Sequence, residues 1–234
     1  LFTALGEETI MELLGAVDDV KTLPITKRKK QLGKNLAIER EVKNVAKFVE
    51  SMPSPNASFY YNWEVWKNLR MGLASSLMNP QASKVHRFLT GAKSWKTTVK
   101  PGDTKKLTYF KVAVAQAFGM DIDKQTTEET IAQFDDIIAD PRVERALNFI
   151  DKLQSGQDLS IAGKEAILEA IEFGGVDVHT MAGLVALNAY DNAAPNGVLE
   201  ENFDTTLALE TDGITNGVII GLLQSMLEEN SAEM

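Results

Sequence analysis

The chain has 234 residues, 44% hydrophobic and 24% charged, enough for one sizeable domain or two small ones. That composition excludes a disordered tail, a collagen-like fibre and a membrane bundle. Cysteine is absent and the only histidines are His86 and His179, which excludes disulfides, zinc–thiolate and iron–sulfur centres, a cysteine nucleophile and a histidine-rich metal site.

The formal net charge is −9, yet it divides sharply along the chain. Residues 1–110 carry 18 Lys+Arg against 10 Asp+Glu, a net of +8, and residues 111–234 carry 6 against 23, a net of −17. The basic part includes Lys27, Arg28, Lys29, Lys30 and Lys34, then Lys84, Arg87, Lys93, Lys96, Lys100, Lys105 and Lys106. Phe59, Tyr60, Tyr61, Trp63, Trp66 and Trp95 are interleaved with it. A polyanion-binding surface has this composition, because phosphate neutralisation supplies most of its affinity. A solvated helix face beside an ordinary core has it too.

In chain order, Ile10, Leu13 and Leu14 predict a helix over 4–16. A longer basic helix is expected over 27–50, with Leu32, Leu36, Val42, Val45, Ala46 and Val49 on its apolar side. Met52-Pro53-Ser54-Pro55-Asn56 ends it and marks the best internal boundary, between 1–55 and 56–234. Residues 58–66 and 70–78 read as strands. Asn79-Pro80 marks a turn, residues 81–90 a short helix, and residues 97–104 a loop around Pro101-Gly102. From 105 to 190 the pattern is helical, broken at Gly119, Asp140-Pro141, Ser155-Gly156 and Gly174-Gly175. A turn follows at Asn192 to Asn196, then a buried strand over 205–209 and a helix over 218–229. No run of about 18 apolar residues occurs and no signal peptide is expected.

The segment with the clearest chemistry runs from Phe203 to Asp212-Gly213 and on to Gly217. A β-run ends in a carboxylate, then a glycine turn, then an apolar helix. A hard divalent cation such as magnesium takes one or two protein carboxylates plus phosphate and water oxygens. Asp212, with the Gly213 carbonyl beside it, therefore forms a candidate half of a two-metal phosphoryl-transfer site. A plain turn capped by Thr215 or Asn216 is the competing reading. A calcium loop is excluded, because Ile214 and Leu223 fall where it needs its third and twelfth ligands. No GxxxxGK[ST] phosphate loop is present.

Asp212-Gly213-x-x-x-Gly217 resembles motif A of the single-subunit, phage-type DNA-dependent RNA polymerases. Met78-Asn79-Pro80-Gln81, followed by Arg87-Phe88-Leu89, resembles the Asn-Pro-Gln segment of that family and the basic residue after it. Phe59-Tyr60-Tyr61-Asn62 resembles its aromatic strand. Tyr109-Phe110-Lys111 with Ala117, Gly119 and Asp121, and Met181 to Ala186, resemble helices that lead to motif A. The order holds over roughly residues 40–230. Divergence after Gly217 makes the chain similar to the virion-packaged polymerases of some phages.

The resemblance implies an α+β, predominantly helical fold, with the strands of 58–78 and 203–211 pairing antiparallel in part of a right-hand palm. It implies magnesium-dependent nucleotidyl transfer, with Asp212 and Gly213 as metal ligands. Arg87, Asn79 and Gln81 would face nucleic acid, as would Arg70, the nearest candidate for the template-contacting arginine of the family. An exposed helix arginine remains the alternative for Arg87, and turn or cap roles for Asn79 and Gln81. The partners implied are DNA template, RNA product, nucleoside triphosphates and the rest of the polymerase. The fingers lysine and tyrosine and the second catalytic aspartate of the family follow motif A, so this chain is expected to be a fragment or one subunit of a split enzyme, in host cytoplasm or carried in a virion. A non-catalytic nucleic-acid-binding module and a helical structural phage protein are the alternatives. His86 is expected at the surface or partly packed, and Lys27 to Lys34 as a solvated face or a nucleic-acid contact.

Overall fold

The computed structural model describes residues 5–53, 59–67, 71–75, 78–79, 86, 96–175 and 178–209. Helix α1 (Glu7–Leu13) leads through a 3-10 turn (Val20–Thr22) into α2 (Ile25–Ser51), the longest helix described. Pro24 at its N-cap has no hydrogen-bond donor to lose, and Met52 in extended backbone ends it, as the Met52-Pro53 break predicts. The apolar side of α2 is narrower than expected. Ile38, Val42 and Val45 are buried, but Leu32, Leu36 and Val49 are exposed. The reason is that α2 meets the short α1 and its connection on one side. The amide of Asn35 exchanges hydrogen bonds with both backbone groups of Val17, and Gln31 donates to Gly15 O at 2.9 Å.

Strands β1 (Trp63–Val65) and β2 (Met71–Leu73) form an antiparallel hairpin, pairing Trp63 with Leu73 and Val65 with Met71. Both are shorter than the predicted strands over 58–66 and 70–78. Strand β3 (Thr97–Val99) pairs antiparallel with β4 (Phe203–Thr205) in a separate two-stranded sheet. Residues 97–99 are strand, not loop, and the strand expected over 205–209 is Phe203–Thr205. It pairs with 97–99 and not with the strands of 58–78. The predicted helices over 81–90 and 218–229 lie outside the described residues, His86 apart.

Among the described residues, five α-helices lie between the two strands of the second sheet: α3 (Thr104–Ala117), α4 (Thr127–Ala139), α5 (Pro141–Gln154), α6 (Ile161–Phe173) and α7 (Val178–Ala193). Their breaks fall where the sequence predicts. Side chains set the starts. Asp103 Oδ1 accepts from Lys106 N at 3.1 Å, and Ser160 Oγ from Gly163 N at 3.2 Å. Thr126 and Glu129 satisfy each other's backbone N–H groups in a capping box at the head of α4. Asp140 caps α5 with Pro141 at its first position. Gly119, at φ +77°, lets the chain turn out of α3.

Helix α7 is buried on nearly every side, with Met181, Leu184, Leu187 and Tyr190 in the core. It packs on α3, α5 and β4, while α3 packs on α4 and α5 on α6. Gly183 brings α7 close to α3: an added Cβ would sit 3.0 Å from Ala117 Cβ and 3.1 Å from the Phe118 ring. Thr180, fully buried, has its hydroxyl between the carbonyls of Ala117 (3.1 Å) and Gly174 (3.2 Å). The fold is therefore α+β and predominantly helical, with two small antiparallel sheets. Among the described residues no single helix is long and apolar enough to cross a membrane.

Candidate functional site

Asn79 is the one predicted site residue within the described residues, and it closes the β1–β2 hairpin segment. Its Nδ2 donates to Ser75 O at 2.8 Å. Just before it, Met78 is buried and adopts φ +49°, the left-handed region that a glycine would favour. The Tyr61 hydroxyl donates to Met78 O at 2.6 Å, and Ala74 N donates to Asn62 O at 2.9 Å. The aromatic segment is thus tied by backbone-directed hydrogen bonds to Ala74 and Met78, next to Asn79. Phe59 adds edge-on contacts with Phe48 of α2 (5.9 Å) and with Tyr61 (5.3 Å). The Trp66 ring packs on Gly72, where an added Cβ would have no room.

His86, expected at the surface or partly packed, is more fully buried than that. It is 5% exposed, with Nε2 3.7 Å from Glu41 Oε1 on α2. His86 is therefore packed beside the basic helix. The sequence signal for this is weak, because a lone histidine has no periodicity of its own.

The second part of the site is the approach to Asp212. Phe203 of β4 is buried, with its ring edge-on to Phe110 (4.9 Å) and to Tyr190 (5.8 Å). Asp204, on the opposite face, accepts from Lys96 Nζ at 2.7 Å and from Thr98 Oγ1 at 2.6 Å. These two hydrogen bonds hold its carboxyl below the usual carboxylate range. Thr205 Oγ1 accepts from Leu207 N at 3.1 Å, shaping the exit from the strand. The sequence does not single out the pairing of Lys96 with Asp204; the β-branched run Thr97-Thr98-Val99 is its available signal. Asp212, Gly213, Arg70, Gln81 and Arg87 lie outside the described residues. Among the described residues no group of three or more His, Cys, Asp or Glu could hold a metal ion.

Comparison with known families fits this order of elements. Residues 1–90 match a virion DNA-directed RNA polymerase domain, and residues 108–193 match the plug insertion of the virion DNA-directed RNA polymerase. The first match spans α1, α2 and the hairpin, and the second spans the five-helix unit from within α3 to the end of α7. The protein is thus part of a DNA-directed RNA polymerase. Within that class, the chain belongs to the virion RNA polymerase family of phages. Nucleic acid and other polymerase regions are its partners at that level. The stretches Tyr109 to Asp121 and Met181 to Ala186, which resemble family helices leading to motif A, both fall in the plug insertion. No curated protein and no solved structure matches the chain.

Proposed function

We propose that this chain supplies the first metal-binding carboxylate of a virion RNA polymerase, Asp212, and the elements that position it. The carrying observation is the order of the two matches relative to the motifs. The polymerase domain match ends just past Asn79-Pro80-Gln81 and Arg87, the plug insertion occupies 108–193, and β4 then leads within seven residues from Thr205 to Asp212. In a right-hand palm, the Asn-Pro-Gln segment and motif A would be neighbours separated in sequence by that helical insertion.

In this reading the chain's own residues position and neutralise charge; they do no covalent chemistry. The donor set available at 212–213, one carboxylate and one adjacent carbonyl, suits magnesium, which prefers oxygen ligands and keeps several sites for phosphate and water. When bound, magnesium supplies electrostatic activation for joining a 3′-hydroxyl to a nucleoside triphosphate α-phosphate with loss of pyrophosphate. Arg70 and Arg87 would hold phosphates of template or hybrid through their forked guanidinium donors. Asn79 would keep the turn in shape through Ser75, presenting Gln81 to the nucleic acid. The Phe203 and Asp204 contacts fix the strand from which Asp212 departs.

The test is Asp212→Asn in the complete polymerase. RNA synthesis is expected to fall to background while template binding is retained. Synthesis that survives removes Asp212 from the metal site.

A further inference from the structure

The basic helix α2 is not used by this mechanism. Lys27, Lys30 and Lys34, at i, i+3 and i+7, lie along the flank next to the buried stripe, with Lys34 Nζ close over Gly15, and Lys29, Arg40, Lys43 and Lys47 lie along the solvent side. All seven are exposed. Arg28 is excluded from either row, because its guanidinium is spent on the carbonyls of Leu23 (3.0 Å) and Lys21 (2.7 Å). Among the described residues only Lys43 of the seven forms an ion pair, with Glu39. Lys27, Lys29, Lys30 and Lys34 therefore crowd positive charge into two turns without a neutralising partner among the described residues.

Between the two rows sits Gly33. It is exposed, its φ is not in the left-handed region, and an added Cβ would meet nothing within 4 Å. No packing or turn among the described residues requires a glycine there, although glycine weakens a helix interior relative to alanine. A bare stretch of helix between Lys29 and the Lys27, Lys30 and Lys34 row suits the close approach of a bulky polyanion. The rows extend roughly 10 Å from Lys27 to Lys34 and roughly 27 Å from Lys29 to Lys47. The exposed positions over 25–47 carry no aromatic side chain on which bases could stack.

We infer that the exposed flank of α2 is a contact for the phosphate backbone of duplex DNA, centred on Gly33, with Lys29 on its solvent side and Lys30, Lys27 and Lys34 on the side toward the α1 connection. The inference rests on the nucleic-acid reading of this polymerase but not on Asp212. Its contacts are to backbone phosphates, so it adds affinity and orientation without reading sequence.

The test measures binding of the full 234-residue chain to a short mixed-sequence duplex and to oligo(dT) of equal length, across a salt series. Three neutralisations together, Lys27→Gln, Lys30→Gln and Lys34→Gln, are expected to reduce the log-affinity against log-salt slope for the duplex by about 2–3. The control pair Lys152→Gln and Lys164→Gln, in the plug-like unit, is expected to leave it unchanged. Gly33→Ala is expected to weaken duplex binding several-fold while raising the thermal midpoint by about 2–4 °C, two effects that a merely structural glycine would not combine. An unchanged duplex slope in the triple variant overturns the inference and leaves this face, with its exposed Leu32 and Leu36, to a protein partner. An equal loss for oligo(dT) and duplex overturns the duplex assignment. Asp212→Asn is silent in this assay, and the α2 variants leave the metal ligands untouched, so the two readings fail separately.

Discussion

Phe203 and Phe110 meet edge-on with ring centroids 4.9 Å apart, joining the strand that leads toward Asp212 to the first helix of the plug-like unit. Tyr190 and Phe134 complete the cluster, each within 6.1 Å of Phe110. The exit strand is therefore held by the insertion's own core. Its position depends on aromatic packing more than on the three-residue ladder with β3, which is too short to be stable alone.

Phe203→Ala is expected to cost about 3–5 kcal/mol, the range for a buried phenylalanine whose cavity cannot collapse. Urea unfolding of the chain checks it. Phe203→Leu keeps most of the volume and should cost about half as much. Equal losses for the two would mean that β4 is not seated in this core.

Asp140 offers a pH-dependent handle. It caps α5 through Arg142 N (2.9 Å) and grips the Arg142 side chain through Nε (2.9 Å) and Nη2 (2.8 Å). The Arg142 guanidinium in turn lies 4.1 Å from the Phe173 ring centre, tying α5 to α6. The side-chain hydrogen bond from Arg142 is the main reason the Asp140 carboxyl is lowered from 3.8 to about 2. A lowered carboxylate pKa stabilises the fold above its unfolded value and loses that contribution as pH falls through the folded value. Between about pH 4 and about pH 2 the chain should therefore lose about 1–2 kcal/mol through this group, allowing for solvent screening. Asp140→Asn keeps a capping side chain and removes the titration. Its stability against pH should run flatter than that of the unaltered chain over that window, by thermal unfolding at several pH values.

Met78 sets two effects against each other. Its left-handed backbone costs about 1 kcal/mol that glycine would recover. Its side chain is 4% exposed, and removing a buried methionine costs about 2–5 kcal/mol. The lost packing outweighs the relieved strain, so Met78→Gly is expected to destabilise the chain by about 1–4 kcal/mol in chemical denaturation. A stabilised variant would show that strain at Met78 outweighs its packing.

Much of the helical part is legible in the sequence for local reasons. Thr126 with Glu129, Asp140-Pro141, Ser160 and Gly119 are start and stop signals that act within a few residues, and the breaks between α3 and α7 fall on them. The exposed lysines of α2 are likewise readable as a charge run. The strand Thr97–Val99 is not, because its partner lies at Phe203–Thr205 across five intervening helices. Three residues of β-propensity beside Pro101-Gly102 say loop until that partner is known. Periodicity overstates the burial of Leu32, Leu36 and Val49 for a related reason. It marks an apolar side, but only a neighbour can cover that side, and α1 covers little.

Of the candidate site, the sequence alone determined which residue types stand in which order: Arg70, Asn79, Gln81 and Arg87 before a helical insertion, Asp212 and Gly213 after it. That order is a covalent property of the chain and needs no fold. The tertiary structure alone decided that Asn79 is bonded to Ser75, that His86 is buried beside Glu41, and that the strand before Asp212 is clasped by Lys96, Thr98 and Phe110. Most of those contacts join residues far apart in sequence. The clasp on β4 forms because the helices of 104–193 bury their apolar faces together and so carry the two ends of the unit, β3 and β4, to the same edge.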